Sequence, residues 1–282
     1  MFVGKMLEKI LSKVGDLSFR RRILTLLDHL KVKPTDKVLD AGCGEGFYVM
    51  LLDELYGCQV VGLDNDHRIL ERAKKWVREK PNIKFLIGDV TKLPFENEIF
   101  DKIILSEVLE HVPDDRKALA EMYRVLKPEG ILGITVPNHD YPLLWDPLNW
   151  MREHLGLGHF SPDSGFFGGI WAMHLRLYYP NEIKKLVETA GFRIEKIEGL
   201  THYCLPFNHN ILYLGKQFYT RHPVPKSISL AMEKFEWEVP GAPSFLNPIQ
   251  LGLKFMKAVD LLNDTHWDKK GSSLHLAIKA RK

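Results

Sequence analysis

From Lys37 to Asn138 the chain alternates short apolar runs with helical patterns, and this alternation limits its fold more than any other feature. "KVLDAG" precedes helical periodicity over 47–56, "CQVVGLD" precedes 66–79, and "IKFLIGD" runs into a short polar segment. "FDKIILS" then leads to a helix over 114–126, and "GILGITVPN" closes the series. Repeats at this spacing predict an α/β fold: a parallel sheet, right-handed crossovers and helices on both faces. A chain of 282 residues with 45% hydrophobic content can bury a sizeable core, so one large, elaborated domain is expected.

The flanks depart from the alternation. Met6, Leu7, Ile10, Leu11 and Val14 share one helical face, and Ile23, Leu24, Leu27 and Leu30 repeat the pattern after the basic cluster Arg20, Arg21, Arg22. Residues 1–33 are therefore expected as a helical cap on a domain spanning 34–282; a helix lying on a membrane or over the substrate is the alternative. Two irregular insertions are expected, 138–178 and 203–270. Between them "YPNEIKKLVETAGFRIEKIEGL" reads as a helix followed by a strand, and "SSLHLAIKARK" ends the chain as a strand.

Composition excludes several classes. With 39 basic and 36 acidic residues the net charge is +3, too balanced for a protein bound mainly through phosphates, so no nucleic-acid partner is expected. The cysteines, Cys43, Cys58 and Cys204, lie far apart and fit neither a disulfide framework nor a zinc cluster, which points to a reducing cytoplasm. No apolar run approaches the ~18 residues that span a bilayer, and "MFVGKMLEKILSKV" does not read as a signal peptide.

The first strand ends in "VLDAGCGEG". Glycines there let backbone N–H groups approach a ligand, and the next helix presents its positive end. In the dinucleotide fingerprint G-x-G-x-x-G the third glycine would fall at 47, which is Phe47, so that register fails. The run from Asp40 through Gly42 and Gly44 to Gly46 instead closely resembles the first motif of class I S-adenosylmethionine-dependent methyltransferases. Asp64 ends "VVGLD", Asp89 ends "FLIGD", and "LSEVLEHV" resembles the fourth-strand segment of the ubiquinone and menaquinone biosynthesis methyltransferases. The resemblance implies a Rossmann-like, mostly parallel, seven-stranded sheet of order 3-2-1-4-5-7-6, with S-adenosyl-L-methionine as cofactor and S-adenosyl-L-homocysteine as its product. It also implies site roles: Asp40, Gly42, Gly44 and Gly46 at the methionine moiety, Asp64 at the ribose, Asp89 at the adenine, and Ser106 and Glu107 beside the sulfur, with Cys43, Asn65 and Val90 also binding the cofactor.

Methyl transfer from a sulfonium is an in-line displacement that chiefly needs the acceptor held close, so catalysis leaves little trace in a sequence. Candidate bases are His111, four residues after Glu107, and His174, with Tyr178 nearby; packing or capping is the competing role for each. Six histidines fall between 139 and 209, but none has H-x-x-x-H or H-E-x-x-H spacing, so no metal is expected. Ligands of open α/β sheets bind beyond the carboxyl ends of the strands, where both insertions start and could form a lid. They hold Trp145, Trp150, Trp171, Trp237 and Trp267 together with Tyr141, Tyr203, Phe207, Tyr213, Phe218, Tyr219 and Phe255. Such walls suit a bulky apolar or aromatic acceptor, quinone-, prenyl- or lipid-like; a small extra core or a homo-oligomer interface is the alternative. In 249–262, Ile249, Leu253, Met256 and Val259 share a side, which would suit a packed amphipathic helix or peripheral contact with a membrane. Two rival functions stay open: an RNA or protein methyltransferase, although "SEVLEH" stands where [DNS]-P-P-[YFW] would be expected, and an inactive cofactor-binding module serving a partner.

Overall fold

The structure, a computed structural model, describes residues 2–11, 14, 16–77, 80–205, 258–264 and 271–282. Two helices open the chain, α1 (Phe2–Leu11) and α2 (Leu17–Leu30). There follow β1 (Lys37–Ala41), α3 (Phe47–Tyr56), β2 (Gln59–Asp64), α4 (His67–Val77), β3 (Ile83–Ile87), β4 (Phe100–Ser106), α5 (Asp115–Val125) and β5 (Leu126–Pro137). The first insertion carries α6 (Pro147–His154), and α7 (Pro180–Thr189), β6 (Arg193–Leu200) and β7 (His275–Arg281) complete the fold. The sheet has seven strands in the order β3-β2-β1-β4-β5-β7-β6. Among the described strands only β7 runs antiparallel, its His275 pairing with Pro137 of β5 and with Leu200 of β6. The Rossmann-like order implied by the resemblance is therefore the observed one.

Strand alternation sends side chains to two cores. Leu39, Leu63, Ile103, Leu105, Ile134 and Ile278 meet α5 and α7 on one face, while Val38, Val60, Ile104 and Ile131 meet α1 to α4 on the other. Helix α2 starts at Asp16, whose side chain accepts from the Phe19 N–H at 3.0 Å. The two N-terminal helices are present, the basic cluster 20–22 lies inside α2, and Leu24 faces out. The apolar pattern misled because α2 is buried on a polar side as well, at Ser18, Arg21, Arg22, Thr25 and His29. His29 Nε2 lies 2.6 Å from Glu198 Oε1 on β6. Strand β5 also begins earlier than expected, at Leu126, because "KPEG" continues the strand, through Glu129 at φ 63°.

The first insertion builds its own core. Tyr141, Ile170, Trp171, Leu177 and Leu274 cluster, with Trp145 and Trp150 packed on them. Glu153 accepts from Tyr141 Oη at 2.8 Å and from Trp171 Nε1 at 2.6 Å, and the buried Asn149 bridges Asp146 Oδ2 to the Phe167 carbonyl. These aromatics thus form the extra core that the sequence left as an alternative to a substrate wall. In the second insertion, Trp237, Trp267, Phe207, Tyr213, Phe218, Tyr219, Phe255 and most of 249–262 lie outside the described residues. Its helical segment 258–264 is held to α2, where Arg21 Nε donates to Asp260 Oδ1 at 2.7 Å. Asn263 Oδ1 receives the backbone N–H groups of His202 and Tyr203. No helix among the described residues is long and apolar enough to cross a membrane.

Candidate cofactor and acceptor site

The carboxyl ends of β1, β2, β3, β4 and β5 lie at one edge of the sheet, and the predicted residues sit there because each closes a strand. After β1 the backbone turns back on β2: the Gly42 and Cys43 N–H groups both donate to the Leu63 carbonyl, at 2.7 and 2.9 Å. This sharp turn holds Gly42 at φ 79°, Gly44 at 52° and Gly46 at 78°, a region costly for residues with a Cβ. A Cβ on Gly42 would stand 2.4 Å from Val108 Cγ2, so the loop packs against the chain leaving β4. A Cβ on Gly44 would meet nothing within 4 Å, which leaves its backbone open to a ligand.

Asp64 closes the loop, accepting from the Gly44 N–H at 2.9 Å through Oδ2 and from the Asp66 N–H at 3.0 Å through Oδ1. Asp40 is 1% exposed and its Oδ2 has no partner. Burial, aided by the nearby charge of Asp64, pushes its carboxyl up to about 8. Cys43 is buried in the loop, and burial raises its thiol, so it is an inert wall. Asn65 is exposed beyond Asp64. Asp89 is exposed and takes both Thr91 donors, N and Oγ1, on Oδ1 at 2.8 Å, which holds its pKa below the ordinary carboxylate value; Val90 beside it is buried.

Ser106 Oγ lies 2.8 Å from Thr135 Oγ1. Glu107 adopts φ 56° and sits in a charge cluster that the sequence did not announce: Arg22 Nη1 is 2.9 Å and His275 Nε2 3.1 Å from its Oε2. Burial opposes its ionisation, but His275 and Arg22 more than offset this and hold it below the usual carboxylate range. Arg22 Nη1 is also 2.7 Å from His275 Nε2, whose Nδ1 faces Ser18 Oγ at 3.1 Å. Helix α2 thus reaches the chain leaving β4, where Arg22 meets Glu107, and the start of β7, where Ser18 and Arg22 meet His275.

A single 3-10 turn, Leu109–His111, follows. Glu110 is fully buried, both of its oxygens lack partners, and burial beside Glu107 pushes its carboxyl well above the ordinary range. The structure brings His111 and His174 together from 63 residues apart, ring centroids 4.9 Å from each other and edge to face. Burial, with His111 close by, lowers His174 to about 4. Tyr178 has a different place from the one a base would need: it lies in the core, its hydroxyl 3.2 Å from the Leu109 carbonyl and 2.9 Å from Asp115 Oδ2, where it braces the turn. Arg22, His275 and Glu110 escaped the sequence reading. Glu110 stood in the quoted "LSEVLEHV", but nothing in its spacing marked it, and the other two converge only through tertiary packing.

The chain is similar to known proteins. The family model described as "Methyltransferase domain" matches residues 39–134. The chain is 33% identical over 208 residues to the demethylmenaquinone methyltransferase of Staphylococcus saprophyticus, covering 69% of this chain and 85% of that one. To the sterol 24-C-methyltransferase of Schizosaccharomyces pombe it is 35% identical over 106 residues, 36% of this chain and 28% of that one. The phosphoethanolamine N-methyltransferase 2 of Haemonchus contortus, solved with S-adenosyl-L-methionine, superposes with a TM-score of 0.56 at 20% identity over 92% of this chain and 51% of that one, a likeness of fold. The chain spans about half the length of the first curated relatives it matches. With its glycine loop, its sheet order and a match along most of a 33%-identical relative, the chain belongs to the class I S-adenosylmethionine-dependent methyltransferases.

Proposed function

We propose that this protein transfers a methyl group from S-adenosyl-L-methionine to a small acceptor that is bulky and apolar or aromatic. The observation that carries the cofactor is Asp40, a buried carboxylate with an unpartnered oxygen beside an open glycine backbone. Such a group lacks a cation, and the cofactor's amino-acid end brings an ammonium. Asp64 and Asp89 keep acceptor capacity beyond the N–H groups they already receive, in line with hydrogen bonding to ribose hydroxyls and to an adenine amino group. Bound there, the sulfonium would supply an electrophilic methyl group; the chain's own part is to hold the acceptor in line and exclude water.

The loop from Ser106 to His111 forms the acceptor side. Glu107, locked by Arg22 and His275, fixes the backbone there, while Tyr178 braces the turn that presents His111 to His174. The apolar character of the acceptor is supported by the first insertion, which leaves Leu143, Leu144, Met151, Leu155 and Leu157 exposed, and by relatives whose names refer to a menaquinone precursor and a sterol. The test is methyl transfer from labelled cofactor to prenylated quinols, to sterols and, as controls, to RNA and a protein extract. Label in the lipid-soluble fraction is expected; label only in RNA or protein would overturn the acceptor class, and no label in any fraction the activity.

A further inference from the structure

Glu110, His111 and His174 lie beside Glu107 but are not themselves assigned to the cofactor, and several of their polar atoms lack partners. Neither carboxylate oxygen of the fully buried Glu110 meets a donor, and the buried Nδ1 of His174 is likewise unpaired. Native structures rarely leave such atoms unsatisfied unless something absent from the protein chain satisfies them. His111 Nε2 lies 3.9 Å from Glu110 Oε1, while its Nδ1 lies 2.9 Å from the Met173 carbonyl. That second contact puts the ring proton on Nδ1 and leaves the Nε2 lone pair on the side of Glu110, the arrangement that orients a metal-ligating imidazole. One donor atom from each of the three residues lies within 4.8 Å of the other two. Two imidazoles and one carboxylate suit zinc-like ions; calcium and magnesium ask for more oxygens.

We propose that Glu110, His111 and His174 bind one divalent transition-metal ion of the zinc kind, and that its open coordination position takes a hydroxyl oxygen of the methyl acceptor. The second clause rests on the methyltransferase reading above. Three protein ligands leave a fourth position, as in catalytic zinc sites. An oxygen held there loses its proton to solvent more readily, keeping the O–H electron pair. That pair forms the new bond to the methyl carbon, while the sulfur keeps the pair of the bond it loses and becomes a neutral thioether. The acceptor atom is then oxygen, and the acceptor a phenol, quinol or alcohol.

The site is legible only in three dimensions. His111 and His174 come from different segments, and two hydrogen bonds pin these together: the Leu175 backbone N–H donates to the Glu110 carbonyl at 2.9 Å, and the Arg176 guanidinium Nη1 donates to the Val112 carbonyl at 2.9 Å. Histidine spacing along the chain, which led to no metal being expected, carries no trace of residues brought together from 110, 111 and 174.

The full-length protein, stripped with a chelator, is titrated with Zn2+ by equilibrium dialysis and with Co2+ in the visible spectrum. One ion per chain is expected, with cobalt ligand-field bands, and Glu110→Gln, His111→Gln and His174→Gln should each weaken binding tenfold or more. His154→Gln, at an exposed ring stacked on Trp150, should leave it unchanged. No stoichiometric binding, or equal loss from His154→Gln, would overturn the site. His111 is partly exposed, so its variant keeps the test open if Glu110→Gln fails to fold. Addition of a catechol should shift the cobalt bands, and an unshifted spectrum overturns hydroxyl coordination. Calorimetry with S-adenosyl-L-methionine separates the two readings: cofactor binding without metal binding sinks the metal site alone, and metal binding without cofactor binding sinks the methyl-transfer reading.

Discussion

At the scale of one residue, Asp40 is a buried carboxyl with an unpartnered oxygen, which in the proposed reading meets the cofactor's ammonium. Its folded pKa, about 8, lies above the ordinary 3.8, so its protonation favours the folded state below pH ~4, and that contribution is lost as pH rises through 8. A bound ammonium favours the ionised form, so cofactor binding at pH 7 should release protons. Calorimetry in buffers of different ionisation enthalpy should therefore give different apparent heats. Asp40→Asn should abolish that difference and weaken the cofactor at least tenfold; an unchanged affinity would remove Asp40 from the site. The glycines separate in the same way. Gly42→Ala adds both left-handed strain and a collision with Val108, an expected loss of about 2–4 kcal/mol in urea unfolding. Gly44→Ala meets open space and should cost only about 1–2 kcal/mol while impairing cofactor binding more than folding.

Helix α2 decides more at the scale of elements than its position before the first strand suggests. Arg22→Met leaves the half-buried Glu107 beside His275 without its guanidinium; breaking a fully buried pair costs about 3–5 kcal/mol, and the partial exposure of Glu107 places the expected loss below that. Adding Glu107→Gln to Arg22→Met should recover part of the loss, a coupling that chemical denaturation of the single and double variants measures. At the far edge, Glu195 joins β6 to β7 through Arg281 and through Lys279, the latter at 2.9 Å. These hydrogen bonds lower Glu195 to about 2 from 4.5. Its contribution is therefore present above pH ~4.5 and fades as pH falls toward 2, a direction set by the depressed folded pKa. Glu195→Gln should flatten the stability slope between pH 4.5 and 2 in urea titrations; an unaltered slope would show that this link carries no stability.

For the whole molecule, a ligand that binds only the folded chain raises the melting temperature, by about 2.7 kcal/mol of stabilisation at a hundredfold excess over Kd. S-adenosyl-L-homocysteine should raise it and NAD should not; the reverse pattern would undo the reading of the glycine loop. Much of the architecture was legible in the residues themselves. Strand–helix alternation from Lys37 to Asn138 sets the parallel sheet, because period-2 and period-3.6 patterns bury different faces. Asp40, Asp64, Asp89 and the glycines could be located because each ends a strand, and strand ends are local features. The aromatics of the first insertion could not be assigned: Trp171 and Tyr141 turn inward because Glu153, on a neighbouring helix, satisfies both of their polar atoms. Nor could the charge cluster of Arg22, Glu107 and His275, which spans 253 residues of sequence and forms because α2 lies across β5 and β7. By itself the sequence determined what depends on neighbours along the chain: strands, helices, the bend at Gly42 and the acids that follow. Only the tertiary structure decided which buried polar groups find partners and which, like Glu110, do not, because a hydrogen bond or ion pair acts over a few ångströms and residues far apart in the chain come within that reach only when the layers pack.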